Sequence, residues 1–151
     1  MTTERTGWRD QSLSERHRSW GANCPAVDLD FVLIEFHHAR PVALVEYKHR
    51  RARPTDPTHP TIRTLVELAD GYRHGPLPCA VVRYDSDPWT FEVQPLNAAA
   101  EAVFGPTRGR TLTEQEYVRT LYAVRRQALS VADEAAIGRL DAVAIRVVEE
   151  P

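Results

Sequence analysis

Two apolar runs lie almost back to back in this chain, Asp28 to Phe36 and Pro41 to Lys48, separated only by His37, His38, Ala39 and Arg40. Both are rich in β-branched and aromatic residues, the composition of strands rather than helices. A connection this short between two strands makes an antiparallel hairpin the natural joint. Near-continuous apolarity, in place of strict alternation, further predicts a sheet covered on both faces.

The remaining punctuation supplies the helices that do the covering. Ser12-Leu13-Ser14-Glu15 is a capping-box pattern and Gly21 a stop, which predicts a helix over about 13–20. Pro60 opens a second helix in which Ile62, Leu65, Val66, Ala69 and Tyr72 keep helical spacing until Gly75-Pro76. Strands are expected at 79–84 and 89–93, about an Asp85-Ser86-Asp87-Pro88 turn, followed by helices at about 97–104 and 113–128. Thr113 and Glu116 cap the last of these, with Tyr117, Val118, Leu121 and Val124 as its buried stripe. From Ser130 onward the pattern is ambiguous: Asp133 to Leu140 reads as helix, whereas Val143 to Val148 has the composition of a strand. The order α-β-β-α-β-β-α-α describes an α/β or α+β sandwich, helices packed on a central sheet.

At 151 residues, 42% apolar and 26% charged, the chain suits one folded domain, with residues 12–96 as its core and 97–140 as a helical C-terminal part. The start lacks the apolar core of a signal peptide and no run is long enough to span a bilayer, so a soluble cytoplasmic protein is expected. Cys24 and Cys79 are isolated in sequence and read as reduced thiols without a chemical role. A net charge of −2 argues against attachment to nucleic acid through bulk positive charge. The distribution is uneven, however, because Lys48, His49, Arg50, Arg51 and Arg53 form a dense basic stretch immediately after the second strand.

Chemistry is suggested by Glu46 and Lys48. Strand side chains alternate, so these two share a face, together with Val42 and Leu44. A solvent-face ion pair is the plain alternative, but the apolar row places the two charges at the end of a buried stripe. Whether Asp30 joins them depends on register. Pairing symmetric about His38 sets Asp30 opposite Glu46, pairing about Ala39 sets it opposite Lys48, and a turn centred between residues sends it to the other face. Two carboxylates are hard oxygen ligands suited to Mg²⁺ with several waters retained, and a lysine beside them can orient water and bind phosphate oxygens. That combination serves phosphodiester hydrolysis.

Helix, Asp30 on one strand, Glu46-Tyr47-Lys48 on the next, then helix and strand: over roughly residues 12–85 this pattern resembles the PD-(D/E)XK nuclease superfamily of restriction endonucleases and Holliday-junction resolvases. The resemblance implies a restriction-endonuclease-like fold and Mg²⁺- or Mn²⁺-dependent cleavage. It assigns metal binding to Asp30 and Glu46 and assistance of the attacking water to Lys48. The usual Pro-Asp pair is missing, since Leu29 precedes Asp30; Asp28, two positions away, is a second candidate ligand. Many members also carry a glutamate in the first helix, for which Glu15 is the candidate here, although it doubles as the capping residue.

Weaker expectations surround this core. Arg16, His17, Arg18 and Trp20 combine charge with a stacking ring suited to phosphate and base contacts, or are a core tryptophan beside solvated arginines. His49, Arg50, Arg51 and Arg53 suit tracking of a nucleic-acid backbone beyond the site, or are a solvated charge run. His37 and His38 read as loop residues. The expected partner is nucleic acid, DNA over RNA, and cutting both strands of a duplex favours a homodimer. The competing reading is a binding or regulatory module that keeps the fold without turnover.

Overall fold

The structure is a computed structural model describing Arg16, Ser19, Trp20 and residues 29–35 and 39–127. Its centre is a five-stranded mixed sheet of order β1-β2-β3-β4-β5. The strands are β1 (Phe31–Glu35), β2 (Arg40–His49), β3 (Cys79–Ser86), β4 (Trp89–Pro95) and β5 (Leu112–Thr113). β2 runs parallel to β3, and the other neighbours are antiparallel. The helices packed with the sheet among the described residues are α1 (Pro60–Asp70), between β2 and β3, α2 (Ala98–Phe104), and α3 (Glu114–Gln127). The molecule is therefore α+β. Among the described residues no helix is long and apolar enough to cross a membrane.

Both faces of the central strands are covered, as their apolarity predicts. On one face Leu44, Cys79 and Val81 pack against Ile62, Leu65 and Ala69 of α1. On the other, Ala43, Val45, Ala80, Val82, Phe91 and Val93 meet Ala100 and Phe104 of α2, Leu112 of β5, and Tyr117 and Val124 of α3. Cys79 is buried, and burial pushes its thiol up to about 11, so it stays protonated and unreactive. Cys24, the helix expected over 13–20 apart from Arg16, Ser19 and Trp20, His37, His38 and everything beyond Gln127 lie outside the described residues. Trp20 is 51% exposed, which removes it from the core.

Local chemistry explains the helix boundaries. α1 starts at Pro60, whose missing N–H costs nothing there, and the imidazole of His59 accepts from the Thr61 amide. It stops at Gly71, earlier than the expected Gly75-Pro76. The capping box of α3 forms as read: Thr113 Oγ1 accepts from the Glu116 amide, and the Glu116 carboxylate accepts from the Thr113 amide at 2.9 Å. The order departs from expectation at β5. Two residues pairing with Thr90 and Phe91 are too short to leave a period in the sequence.

A second departure concerns Val42. Pairing runs Glu35↔Arg40 and Ile34↔Pro41, then jumps to Leu33↔Ala43, Val32↔Leu44 and Phe31↔Val45. Val42 is the extra residue of a β-bulge. It turns away from Leu44 and packs with Ala43 on the α3 side, 5% exposed. The expectation that Val42 and Leu44 share a face with Glu46 is thus corrected: Leu44 does and Val42 does not.

Asn97 ties three elements together. Its Oδ1 accepts from the Ala100 amide, capping α2, and from the Cys79 amide at the start of β3. Its Nδ2 donates to Asp70 at the end of α1 and to the Leu77 carbonyl. Asn97→Ala removes a cap worth about 1 kcal/mol and leaves a buried strand amide unpaired, so a loss of about 2–4 kcal/mol is expected. In urea unfolding the midpoint should fall at constant slope, and Asn97→Asp should lower it too, because it keeps both acceptor bonds but sets a carboxylate oxygen against Asp70 and the Leu77 carbonyl.

Candidate functional site

The bulge decides the site. Pairs next to the turn are symmetric about the peptide between residues 37 and 38, the arrangement that would send Asp30 to the face opposite Glu46. Beyond Val42 the pairs are symmetric about residue 38, and the next position in that register sets Asp30 across from Glu46. One inserted residue therefore reverses the parity.

Asp30, Glu46 and Lys48 come together on the α1 face, past the end of α1's apolar contact. Lys48 Nζ lies 3.4 Å from Glu46 Oε1, with side chains 30% and 16% exposed. Asp30 is exposed, its Oδ2 accepts from the Tyr47 amide at 3.3 Å, and its negative charge bears on the Glu46 carboxyl. The Glu46 carboxyl is held above its ordinary value, first by burial and then by the negative charge of Asp30, with Lys48 working against both. Two carboxylates that resist being charged together are a ready seat for a cation, whose charge would relieve both terms. Hard oxygen donors of this kind fit Mg²⁺ or Mn²⁺. Among the described residues no third His, Cys, Asp or Glu completes a cluster with them. Asp28 and Glu15, the further ligands expected from sequence, lie outside the described residues.

Tyr47, between the two charges, points through to the other face. There it meets Phe31 edge-on at 4.9 Å, and its hydroxyl pairs with that of buried Tyr117 at 2.6 Å. Burial raises both phenols, so the pair stays neutral. The aromatic cluster thus pins the stretch of β2 that presents Glu46 and Lys48.

The site sits toward the carboxyl ends of parallel β2 and β3, the usual ligand end of such strands. Lys48 pairs with Arg83 in the parallel register, and Arg83 with Glu92. Sequence reasoning passes over Arg83; its one signal is a lone cation closing an apolar strand whose neighbour carries Lys48. Of the weaker expectations, Arg16 and Arg51 are exposed, and His17 and Arg18 lie outside the described residues. His49 Nδ1 accepts from the Arg51 amide, and its Nε2 lies 4.0 Å from Asp85. A cleft of about 310 Å³ between Arg40–Val42 and residues 72–78 lies at the opposite end of β2 and shares no residue with this site.

The chain matches no protein-family model, no curated protein and no solved structure.

Because the Glu46 pKa is raised in the folded state, this group contributes stability that is full below its unfolded value of about 4.5 and is lost as pH rises through the folded value. Asp30→Asn removes the second cause of the rise. The Glu46 carboxyl titration, followed by carbon NMR, should move to lower pH in that variant, and added Mg²⁺ should lower it in the unsubstituted protein.

Proposed function

We propose that this chain is a metal-dependent phosphodiesterase of the PD-(D/E)XK type acting on DNA, with Asp30, Glu46 and Lys48 as its catalytic set. One observation carries the reading: the bulged register, continued one residue beyond β1, sets the carboxylate of Asp30 across from Glu46, on the face where Glu46 and Lys48 lie 3.4 Å apart. An ordinary surface ion pair accounts for Glu46 and Lys48, and the Tyr47 amide gives Asp30 a bond, but neither relieves the second carboxylate that Asp30 brings to a mostly buried Glu46. The restriction-endonuclease-like arrangement belongs to the same proposal. An antiparallel β1–β2 pair, a helical crossover to parallel β3 and antiparallel β4 support it, in the order expected of the motif-bearing core.

In this mechanism Asp30 and Glu46 would hold Mg²⁺ or Mn²⁺. When bound there, the ion supplies neutralisation of charge at phosphorus and acidifies water. The protein's own groups do the positioning. Lys48 Nζ, fixed beside Glu46 Oε1, donates to a phosphate oxygen or to the attacking water and orients it for in-line approach. Partial burial beside Leu44 and Val81 strengthens these interactions relative to open water. The basic stretch after Lys48 favours a phosphate polymer over a small ester.

Lys48→Ala should lower Mg²⁺-dependent cleavage of a labelled DNA duplex by about 10²–10⁴-fold. Glu46→Ala and Asp30→Asn should each abolish it, with thermal unfolding unchanged or raised, because each removes a repelling carboxylate. Full cleavage by Lys48→Ala, or none by the unsubstituted protein with either Mg²⁺ or Mn²⁺, sinks the hydrolytic reading in favour of a binding module.

A further inference from the structure

Three arginines occur within four residues of the loop that leaves the site: Arg50, Arg51 and Arg53. A fourth, Arg83, is folded beneath them. Its Nη2 donates to the Arg50 carbonyl and to the Ala52 carbonyl at 2.9 Å, and its Nη1 donates to the Arg53 carbonyl at 3.3 Å. The loop is closed further by the Arg50 amide on the Tyr84 carbonyl, the Ala52 amide on the His49 carbonyl and the Arg51 amide on His49 Nδ1. Arg83 shares its face and register with Lys48, so this clamp lies directly beside the candidate site.

The charge balance of the clamp is unfavourable without an anion. Arg83 spends its guanidinium on three neutral carbonyls, which leaves its charge uncancelled. Arg50 is met by Asp85 at 3.4 Å. Glu92, opposite Arg83, instead accepts from Thr111. The side chains of Arg51 and Arg53 are exposed and have no carboxylate partner among the described residues. A flexible loop would spread these like charges apart, whereas a loop tied at three carbonyls by another cation keeps them together.

We propose that Arg83 is a positioning residue that holds the 50–53 loop so that Arg51 and Arg53 form a subsite for the DNA backbone phosphates flanking the one at Lys48. The proposal rests on the phosphodiesterase reading for its substrate, but not for the clamp itself. It is distinct from catalysis: Arg83 touches the loop backbone and not the substrate, and acts only through its two neighbours.

The test is a double-mutant cycle read by binding of a fluorescein-labelled DNA duplex, in Ca²⁺, across a salt series. Arg51→Ala/Arg53→Ala should weaken binding and reduce the slope of log affinity against log salt by about two, one for each phosphate that is no longer neutralised. Arg83→Met should weaken binding about tenfold, speed amide hydrogen exchange at 50–53, and add nothing further in the Arg51→Ala/Arg53→Ala background. Arg83→Lys, the variant to use if Arg83→Met fails to fold, should also lose affinity because an ammonium cannot span three carbonyls. Additive losses in the cycle, unmoved exchange at 50–53, or an unsubstituted protein that does not bind the duplex would each overturn the proposal. Binding without Mg²⁺- or Mn²⁺-dependent cleavage defeats the hydrolytic reading alone and leaves the subsite standing.

Discussion

The bulge at Val42 is the constraint on which the candidate site depends. A strand has two faces and a period of two, so a single unpaired residue is enough to exchange them for everything beyond it. The hairpin closes in one register and presents its far end in the other. Burial of Val42 among Leu33, Val45 and the α3 residues holds the extra residue in place, a contribution of about 1.5–3 kcal/mol typical of a buried aliphatic side chain. The energy that sets the register is therefore apolar and lies on the face away from the charges.

The same division of labour runs through the whole sheet. On the α3 side, Tyr47, Tyr117, Phe31 and Phe91 form an aromatic cluster that fixes the backbone of β2. On the α1 side, Leu44, Cys79 and Val81 are sealed by α1, and beyond that seal lie Glu46, Lys48 and Arg83 of β2 and β3, with Asp30 just ahead of β1. This polar rim begins where the apolar cover of Ile62, Leu65 and Ala69 ends. Glu46 records the tension, its carboxyl pushed up by burial and by Asp30 and pulled down by Lys48.

Much of the framework was legible in local chemistry. Thr113 with Glu116 announced its helix through a capping box, and Pro60 marked the start of α1, whereas the Asn97 cap of α2 emerged only from the structure. The strands of the core fell within a few residues of their apolar runs, because burial on two faces leaves a dense signature in composition. β5 was not legible: two residues have no periodicity, and only the edge of β4 makes them a strand. Arg83 was visible only as a cation in a strand, since its bonds reach back thirty residues or more to carbonyl groups that carry no sequence signal.

By itself the sequence determined that a hairpin would form, that helices would cover both sides of its second strand, and that Glu46 and Lys48 would point the same way. These follow from periods and caps, which act over a few residues. Only the tertiary structure decided that Asp30 would join them. That outcome turns on whether Val42 is paired or bulged, and what stabilises the bulge is contact with residues far along the chain, packed there by α3 and β4. Parity within a strand is a local property; parity between strands is settled by packing.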